Sequence, residues 1–486
     1  MKNFFLSLFF LVTTGTLWAQ KTYQVASPDG CIGLKVTISD KIYYNIFCDG
    51  QILLENGVMQ MQMGDQLLGQ KPKVTKKTIK SVSETIKPVV PFKFSSIDNT
   101  YNQLLLKFNG NYSVEFRAFD DGVAYRFITQ KRGDVEVLNE VFQVDFPEDY
   151  QMHMQIAGRF KTSYEEPYRH MKFSEWKTSE GYTLLPVLIE ARNNHKILIS
   201  ESDLTDYPAM FLTPAAGNNG ISSVFPKNPI EFGPDGDRSV KLVKEADYIA
   251  KTNGQRNFPW RYFVITKEDG DLLENNMTAR LAEKSQIADP SWIKPGLTTW
   301  EWWNGATPYG PEVDFVAGCN TETYKYFIDF ASKFGVEYVL LDEGWGRSTR
   351  DPFTPNNRLN LKELIQYGKE KNVNVILWLT WLTVENNFDL FEKYAEMGAI
   401  YHTTINEMMP RFLEGDEAVK LCQSNIQTLV DMIWGNTCIM CWKGNYSSED
   451  RIKAFRFAID CFNLLYDDGN CGFYHERISD CYKEIA

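Results

Sequence analysis

The hydrophobic pattern of this chain changes period near residue 290, and the change separates two regions that should fold differently. From Lys21 to about Lys284, short runs of β-branched and aromatic residues are bounded by turn signals such as Asp49-Gly50. Alternation of apolar and polar residues, as in Tyr112 to Phe116, is typical of half-buried strands. The pattern predicts a large all-β sandwich over residues 20–285, so the fold class is multidomain, β followed by α/β.

From Ser291 onward, apolar strands alternate with amphipathic helices. We predict strands near Trp300 and over residues 337–342 and 373–379, and helices over residues 321–334, 361–371 and 387–397. This alternation implies right-handed βαβ units on a parallel sheet, and polar residues gathered at one rim favour a (β/α)8 barrel over a doubly wound sheet. A barrel takes about 250 residues and fewer than 200 remain. Residues 286–400 are therefore predicted to form its first three β/α units.

The last part of the chain, residues 401–486, does not continue this alternation. Six of the nine cysteines lie between Cys422 and Cys481. Residues 418–434 and 448–466 carry apolar faces at helical spacing, and no buried strand of the earlier kind lies between them. The pattern indicates an atypical, cysteine-rich helical tail.

The N-terminus has the composition of a secretory signal peptide. Lys2 precedes an apolar run from Phe4 to Val12, and Leu17-Trp18-Ala19 is a plausible cleavage site. We expect residues 1–19 to be removed and the protein to be periplasmic or secreted; a short buried helix is the alternative. No later stretch is apolar enough over about 18 residues to span a membrane.

Two cysteines near the N-terminus lie on either side of Asp40, at the two ends of a predicted hairpin of residues 32–38 and 42–47. Cys31 and Cys48 could face each other across the strands and form a disulfide in an oxidising compartment. A slip of one residue in the strand register would instead separate them.

The net charge of -12 and pI near 5.2 argue against nucleic acid as a partner. No basic stripe is present to neutralise phosphates or an anionic membrane surface. A neutral or weakly charged ligand fits this chain better.

Acids and indoles follow the predicted parallel strands at the points where the strands end. The candidate substrate-contacting residues are Trp302, Trp303, Asn304, Asp342, Glu343, Trp345, Trp378 and Trp381. An indole face matches the C–H face of a pyranose, and carboxylates accept hydrogen bonds from sugar hydroxyls. Asp342 and Glu343 are adjacent, so only one can enter the barrel mouth. Core packing of the indoles, and a capping or salt-bridged role of the acid, are the alternatives.

Two further candidates lie in the β region. Glu201 begins an oxygen-rich segment, Glu201 to Tyr207. Clustered oxygens can hold calcium, but the spacing here does not match that of an EF-hand loop. Arg261 precedes the strand Tyr262 to Ile265, and is either a substrate contact, a surface charge or an inter-domain clamp.

In these stretches the chain resembles glycoside hydrolase family 97, the exported bacterial α-glucosidases and α-galactosidases. The match covers about residues 20–400 and includes Ser27 to Gly30, Phe258 to Arg261, Leu340 to Trp345 and Val375 to Trp381. The resemblance implies a β-supersandwich packed on a (β/α)8 barrel, and calcium at the active site. It also implies that Glu201 is one calcium ligand and that the partner is an oligosaccharide or α-glycoside.

The chain departs from the family pattern at two positions. Thr380 stands where inverting members carry a glutamate base, so the chain resembles the retaining, α-galactosidase-like branch. That branch has a nucleophilic aspartate at the end of the fourth barrel strand, where this chain reads Ala399 to Thr404. We therefore predict a glycosidase for α-linked galactosides or glucosides, with this chain inactive or impaired. A non-catalytic carbohydrate-binding remnant and a structural or adhesion sandwich are the alternatives.

Overall fold

The computed structural model describes residues 20–386 and 400–404, except residues 91–92, 163, 216–218, 237, 288 and 292. The chain divides into two compact units between Pro295 and Gly296. The predicted signal peptide, the predicted helix 387–397 and residues 405–486 lie outside the described residues.

The described part of the first unit is built almost wholly of strands, as the alternating pattern predicts. In chain order they are β1 (Lys21–Ala26), β2 (Ile32–Ile38), β3 (Ile42–Cys48), β4 (Gln51–Met63), β5 (Gln66–Leu68), β6 (Val74–Ile86), β7 (Ile97–Phe108), β8 (Tyr112–Phe119), β9 (Gly122–Asp145), β10 (Gln151–Ala157), β11 (Tyr168–Lys172), β12 (Tyr182–Thr183), β13 (Val187–Glu190), β14 (Lys196–Ser202), β15 (Phe211–Pro214), β16 (Gly220–Val224), β17 (Pro229–Asp235), β18 (Ser239–Glu245), β19 (Ala250–Asn257) and β20 (Trp260–Thr266). Two short helices follow, α1 (Asp269–Glu274) and α2 (Met277–Leu281).

Eighteen of these strands share one hydrogen-bonded sheet, and β17 and β18 form a separate hairpin. Strand β9 is the longest, at 24 residues, and it pairs with β4, β8, β16, β19 and β20. Alternate residues of β2 and β3 are buried, so each of these strands contributes one face to the core. Aromatic rings stack inside, with Phe142 and Phe263 centroids 5.7 Å apart.

The register of the β2–β3 hairpin decides the state of its two cysteines. Ile32 lies opposite Cys48, while the backbone N–H of Asp49 donates to the carbonyl of Cys31 at 2.9 Å. Both thiols are free. The disulfide considered from the sequence is therefore absent, because the register is offset by one residue and adjacent positions of a strand point to opposite faces.

The second unit contains a parallel sheet covered by helices. Its elements are β21 (Thr298–Trp300), α3 (Thr321–Phe334), β22 (Tyr338–Leu341), β23 (Gly346–Ser348), β24 (Asp351–Pro355), α4 (Leu361–Glu370), β25 (Asn374–Thr380), α5 (Trp381–Asn386) and β26 (Ile400–Thr404). The strands β21, β22, β25 and β26 lie side by side in this order in one sheet, and each neighbouring pair is parallel. The predicted alternation of strand and helix is confirmed for these elements.

Helix α3 begins and ends where the sequence predicts. The Asn320 side chain accepts the backbone N–H of Thr323 at 2.9 Å, and Gly335 ends the helix in the left-handed region, with φ 70°. Tyr324, Ile328 and Ala331 are buried, as the apolar spacing indicates. Phe334, the last residue of the helix, is 62% exposed.

Strand β26 corrects the prediction that the alternating pattern ends at residue 400. Ile400 pairs with Ile376 and Thr404 with Thr380, which makes a fourth parallel strand. The run Ile400 to Thr404 is short and contains His402, so it does not read as a buried strand in the sequence. Among the described helices, none has both the length and the hydropathy needed to cross a membrane.

Candidate functional site

The carboxyl ends of the parallel strands in the second unit bring acids and indoles to one edge. Trp300 of β21 pairs with Leu340 of β22, and Leu341 of β22 pairs with Leu377 of β25. The residues that directly follow β21 and β22 are Glu301 and Asp342. Ligands of parallel α/β sheets bind outside the carboxyl ends of the strands, so this edge is the candidate site.

Glu301 is the buried centre of this edge, although the sequence pattern did not single it out. Its side chain is 3% exposed, and Oε1 accepts the Tyr324 hydroxyl at 2.5 Å and the backbone N–H of Asp342 at 3.0 Å. Burial raises the pKa of Glu301 to about 7. The signal that could have revealed it is its place directly after β21, one residue before the indole pair.

Asp342 and Glu343 point to different environments, as adjacent residues at a strand end should. Asp342 is buried, and its Oδ2 accepts the indole N–H of Trp300 at 2.5 Å. Its Oδ1 accepts the backbone N–H of Glu343 at 2.7 Å, while the Glu343 side chain is exposed. Asp342 is therefore oriented by Trp300 before any ligand binds.

The tryptophans predicted to contact substrate lie in different environments. Trp302 is partly exposed and stacks on Trp300, with centroids 5.8 Å apart and an interplanar angle of 23°. Trp345 is buried in the core of the second unit, and its N–H donates to the carbonyl of Trp378 at 2.8 Å. Trp378 is also buried. A packing role is thus visible for Trp345, and a substrate contact by it stays a prediction.

Three predicted contacts lie where only the backbone is described. Trp303 and Asn304 belong to the 3₁₀ turn that follows β21, and Trp381 begins α5. Their side chains lie outside the described part of the structure, so their predicted contacts are untested. Thr380, at the end of β25, is buried, and its hydroxyl donates to Thr383 at 2.8 Å.

Arg261 lies in the first unit, completely buried between two carboxylates. Its Nε and Nη2 donate to Glu140 at 2.9 Å each, and its Nη1 donates to Glu201. Glu201 is the cross-strand partner of Arg261 in the β14–β20 pair. This burial excludes the surface-charge interpretation of Arg261, and its contact with a substrate stays a prediction.

Glu201 has chemistry that fits one ligand of a calcium ion. Both of its oxygens also accept the backbone N–H of Met210 at 3.1 Å. Burial raises the pKa of Glu201 to about 7, and a single guanidinium faces the two carboxylates Glu140 and Glu201. Excess buried negative charge favours a cation, and calcium prefers such oxygens, but it takes six to eight of them. The hydrogen-bond partners of Glu201 among the described residues are the backbone N–H of Met210 and the guanidinium of Arg261. Neither can bind a cation, so these contacts add no calcium ligand to Glu201 itself.

Comparison with known families decides what this arrangement belongs to. The family model for the N-terminal region of glycosyl hydrolase 97 matches residues 25–284, more than half of the chain, and the model for glycoside hydrolase 97 matches residues 302–428. The chain belongs to glycoside hydrolase family 97. The second match extends past residue 400, in agreement with the parallel pairing of β26.

Two curated proteins similar to this family 97 chain are α-galactosidases by name. It is 38% identical over 414 residues to the retaining alpha-galactosidase of Bacteroides thetaiotaomicron, across 82% of this chain and 62% of that protein. It is 29% identical over 299 residues to the probable retaining alpha-galactosidase of Streptomyces bingchenggensis, across 59% of this chain and 41% of that protein. The chain thus spans less than two thirds of the length of either relative.

Solved structures of glycosidases share the fold. A family 97 enzyme from Pseudoalteromonas, in complex with acarbose, superposes with a TM-score of 0.64 at 22% identity, over 78% of this chain and 58% of that chain. A β-arabinopyranosidase superposes with a TM-score of 0.59 at 21% identity, over 73% of this chain and 55% of that chain. At these identities the likeness supports the fold alone.

Proposed function

We propose that this chain is an exported glycosidase of the retaining α-galactosidase type, with α-linked galactosides or glucosides as substrates. The observation that carries the proposal is the 38% identity to a retaining alpha-galactosidase over 414 residues. The edge at Glu301 and Asp342 supports it, because a buried, oriented carboxylate beside a partly exposed indole suits a neutral sugar.

In this proposal the four parallel strands β21, β22, β25 and β26 are the first four of a (β/α)8 barrel, and the cysteine-rich remainder is a helical tail. Sequential parallel neighbours with helices between them are the arrangement that a barrel requires. The carboxyl ends of the strands would then form the mouth in which a sugar binds.

Asp342, Trp302 and Glu301 each have a role in the proposed site. Asp342 would accept a hydrogen bond from a sugar hydroxyl in an orientation held by Trp300, and Trp302 would stack on the pyranose ring. Glu301 would act as a positioning residue, since it is buried and holds the backbone N–H of Asp342. A retaining mechanism also needs two carboxyls about 5 Å apart across the scissile bond. The resemblance places the nucleophile at the end of the fourth barrel strand, and β26, the fourth parallel strand here, ends at Thr404.

We therefore expect the purified 486-residue chain to bind galactose and to hydrolyse an aryl α-galactoside poorly. Titration calorimetry with galactose measures the first property, and release of the aryl group measures the second. Rapid turnover would contradict the impaired site while supporting the substrate class. Absence of both binding and turnover would overturn the proposal.

The second candidate function is a carbohydrate-binding remnant, favoured by the absence of an aspartate in the segment Ala399 to Thr404. It predicts galactose binding without any turnover, even at high protein concentration. The residual hydrolysis expected of an impaired glycosidase distinguishes the two, provided that Asp342→Asn abolishes it.

We also propose calcium as the cofactor and export as the fate of the chain. Calcium would be held by Glu201 among other ligands. Calorimetric titration of calcium should show weaker binding for Glu201→Gln than for the wild type, and equal binding would contradict the assignment. Cell fractionation and N-terminal sequencing test export, and an N-terminus at Gln20 is the expected result.

A further inference from the structure

Two hairpin ends of the first unit bring a thiol, a carboxylate and an imidazole together. Cys48 ends β3, and Asp49 begins the two-residue turn to β4, with φ 49° at Asp49 and 76° at Gly50. This Asp-Gly turn is of the type that suits tight hairpins. His195 lies in the turn between β13 and β14.

Hydrogen bonds fix the two turns to each other. The Arg192 guanidinium donates from Nη2 to the carbonyl of Ile52 at 2.7 Å, and the Asn193 amide donates to Oε1 of Gln51 at 2.6 Å. Both donors belong to the His195 turn, and both acceptors begin β4. The positions of Cys48, Asp49 and His195 are therefore set by the fold rather than by a ligand.

His195 is oriented as metal-ligating histidines are. Its Nδ1 lies 3.0 Å from the carbonyl of Arg192, which can only accept, so Nδ1 carries the hydrogen and the neutral ring keeps a lone pair on Nε2. The residue is 2% exposed, and Nε2 is buried without a hydrogen-bond partner among the described residues. A buried acceptor without a partner is costly, and a bound ion would satisfy it.

We propose that Cys48, Asp49 and His195 bind one divalent transition-metal ion of the zinc class. The sulfur, a carboxylate oxygen and an imidazole nitrogen all lie within 4.8 Å of one another. Zinc bonds measure about 2.0 to 2.3 Å, so one ion between these atoms needs only small side-chain rotations. A thiolate and an imidazole select zinc-like ions over calcium or magnesium, which prefer oxygen alone.

The surroundings of the three ligands allow entry and attract cations. They line a cavity of about 740 Å³, whose walls carry seven carboxylates against two basic side chains, Lys267 and Arg280. Lys267 is the opposing charge nearest to the site, since its Nζ donates to Oδ2 of Asp49 at 2.8 Å. A carboxylate has a second oxygen for the ion, and three protein ligands leave a fourth position for water.

The test uses the full chain, reduced and freed of metal, titrated with zinc or with cobalt. We expect the wild type to bind one more equivalent than Cys48→Ser, and its cobalt form to show a thiolate charge-transfer absorption that Cys48→Ser reduces. His195→Gln should weaken binding of that equivalent by about tenfold or more. Comparing variants removes the contribution of the six cysteines from Cys422 onward.

Cys31→Ser is the matched control, since Cys31 lines the same cavity but is outside the ligand set. It should keep the wild-type affinity. Asp49→Asn changes an exposed turn residue, so its weaker binding should come without loss of folding, as seen by circular dichroism. Equal binding by the wild type, Cys48→Ser and His195→Gln would overturn the proposal. A Cys31–Cys48 disulfide in freshly purified, unreduced protein would do the same.

Discussion

The hydroxyl of Tyr324 donates a hydrogen bond to Oε1 of Glu301 at 2.5 Å, and the same oxygen accepts the backbone N–H of Asp342 at 3.0 Å. One carboxylate thus ties helix α3 to the ends of β21 and β22. Because Glu301 is buried, this contact places Asp342 at the edge of the sheet rather than offering Glu301 itself to a ligand.

Glu301→Gln should remove a pH dependence of stability. Burial raises the pKa of Glu301 from the ordinary 4.5 of a glutamate to about 7, so between these values the folded state holds a proton that the unfolded state has lost. Stability therefore falls as the pH rises from about 4.5 to 7, by about 1.4 kcal/mol for each pKa unit. Glutamine keeps both acceptor contacts without the titration, so this fall should be absent.

Urea unfolding followed by tryptophan fluorescence, at pH 5 and pH 7.5, measures this difference. Eight of the twelve tryptophans belong to the second unit, from Trp300 to Trp442, so the signal reports mainly on that unit. Glu343→Gln, which changes an exposed acid of the same motif, should behave as the wild type. The same pH slope in Glu301→Gln and the wild type would contradict the prediction.

Trp300→Phe should weaken sugar binding through Asp342. The substitution keeps an aromatic ring but removes the N–H that donates to Oδ2 of Asp342. A hydrogen bond to a charged group contributes about 1.5 to 3 kcal/mol, so galactose affinity should fall about tenfold or more in calorimetry. Trp176→Phe is the control, since its buried N–H has no hydrogen-bond partner among the described residues. Equal losses in both variants would show that ring size alone matters.

Arg261→Met should strongly destabilise the first unit. It leaves Glu140 and Glu201 buried without their shared cation, a change that costs about 3 to 5 kcal/mol for a broken buried pair. Urea unfolding followed by circular dichroism of the β-rich unit is the measurement. Lys251→Met breaks the exposed pair with Glu136, at 3.9 Å, and should cost less than about 1 kcal/mol. Comparable losses would show that Arg261 contributes only as a surface charge does.

Gly344→Ala should destabilise the turn that presents Asp342. Gly344 has φ 114°, outside the region that residues with a side chain adopt readily, and a Cβ there would lie 3.3 Å from Sγ of Cys319. We expect a loss of about 1 to 3 kcal/mol in urea unfolding. Gly335→Ala, at φ 70° with no atom within 4 Å of the new Cβ, should cost less. A smaller loss at Gly344 than at Gly335 would refute the strain argument.

The extent to which these features were visible in the sequence differs between elements. Helix α3 was predictable because Asn320 and Gly335 are strong start and stop signals around a periodic apolar face. The hairpin of β2 and β3 was predictable from alternation. Glu301 was not, because a single acid after a three-residue strand carries no pattern. The ion pair of Arg261 was not, because its partners lie 60 and 121 residues away in the chain.

The sequence by itself determined the family, the change from β to α/β near residue 290, and the gathering of acids and indoles at strand ends. These follow from local periodicity and from residue type, which can be read directly from the sequence. Only the tertiary structure decided that Cys31 and Cys48 are offset, that β26 joins the parallel sheet, and that His195 meets Cys48. Each of these depends on register or on contacts between distant segments, where a shift of one residue reverses the face on which a side chain lies.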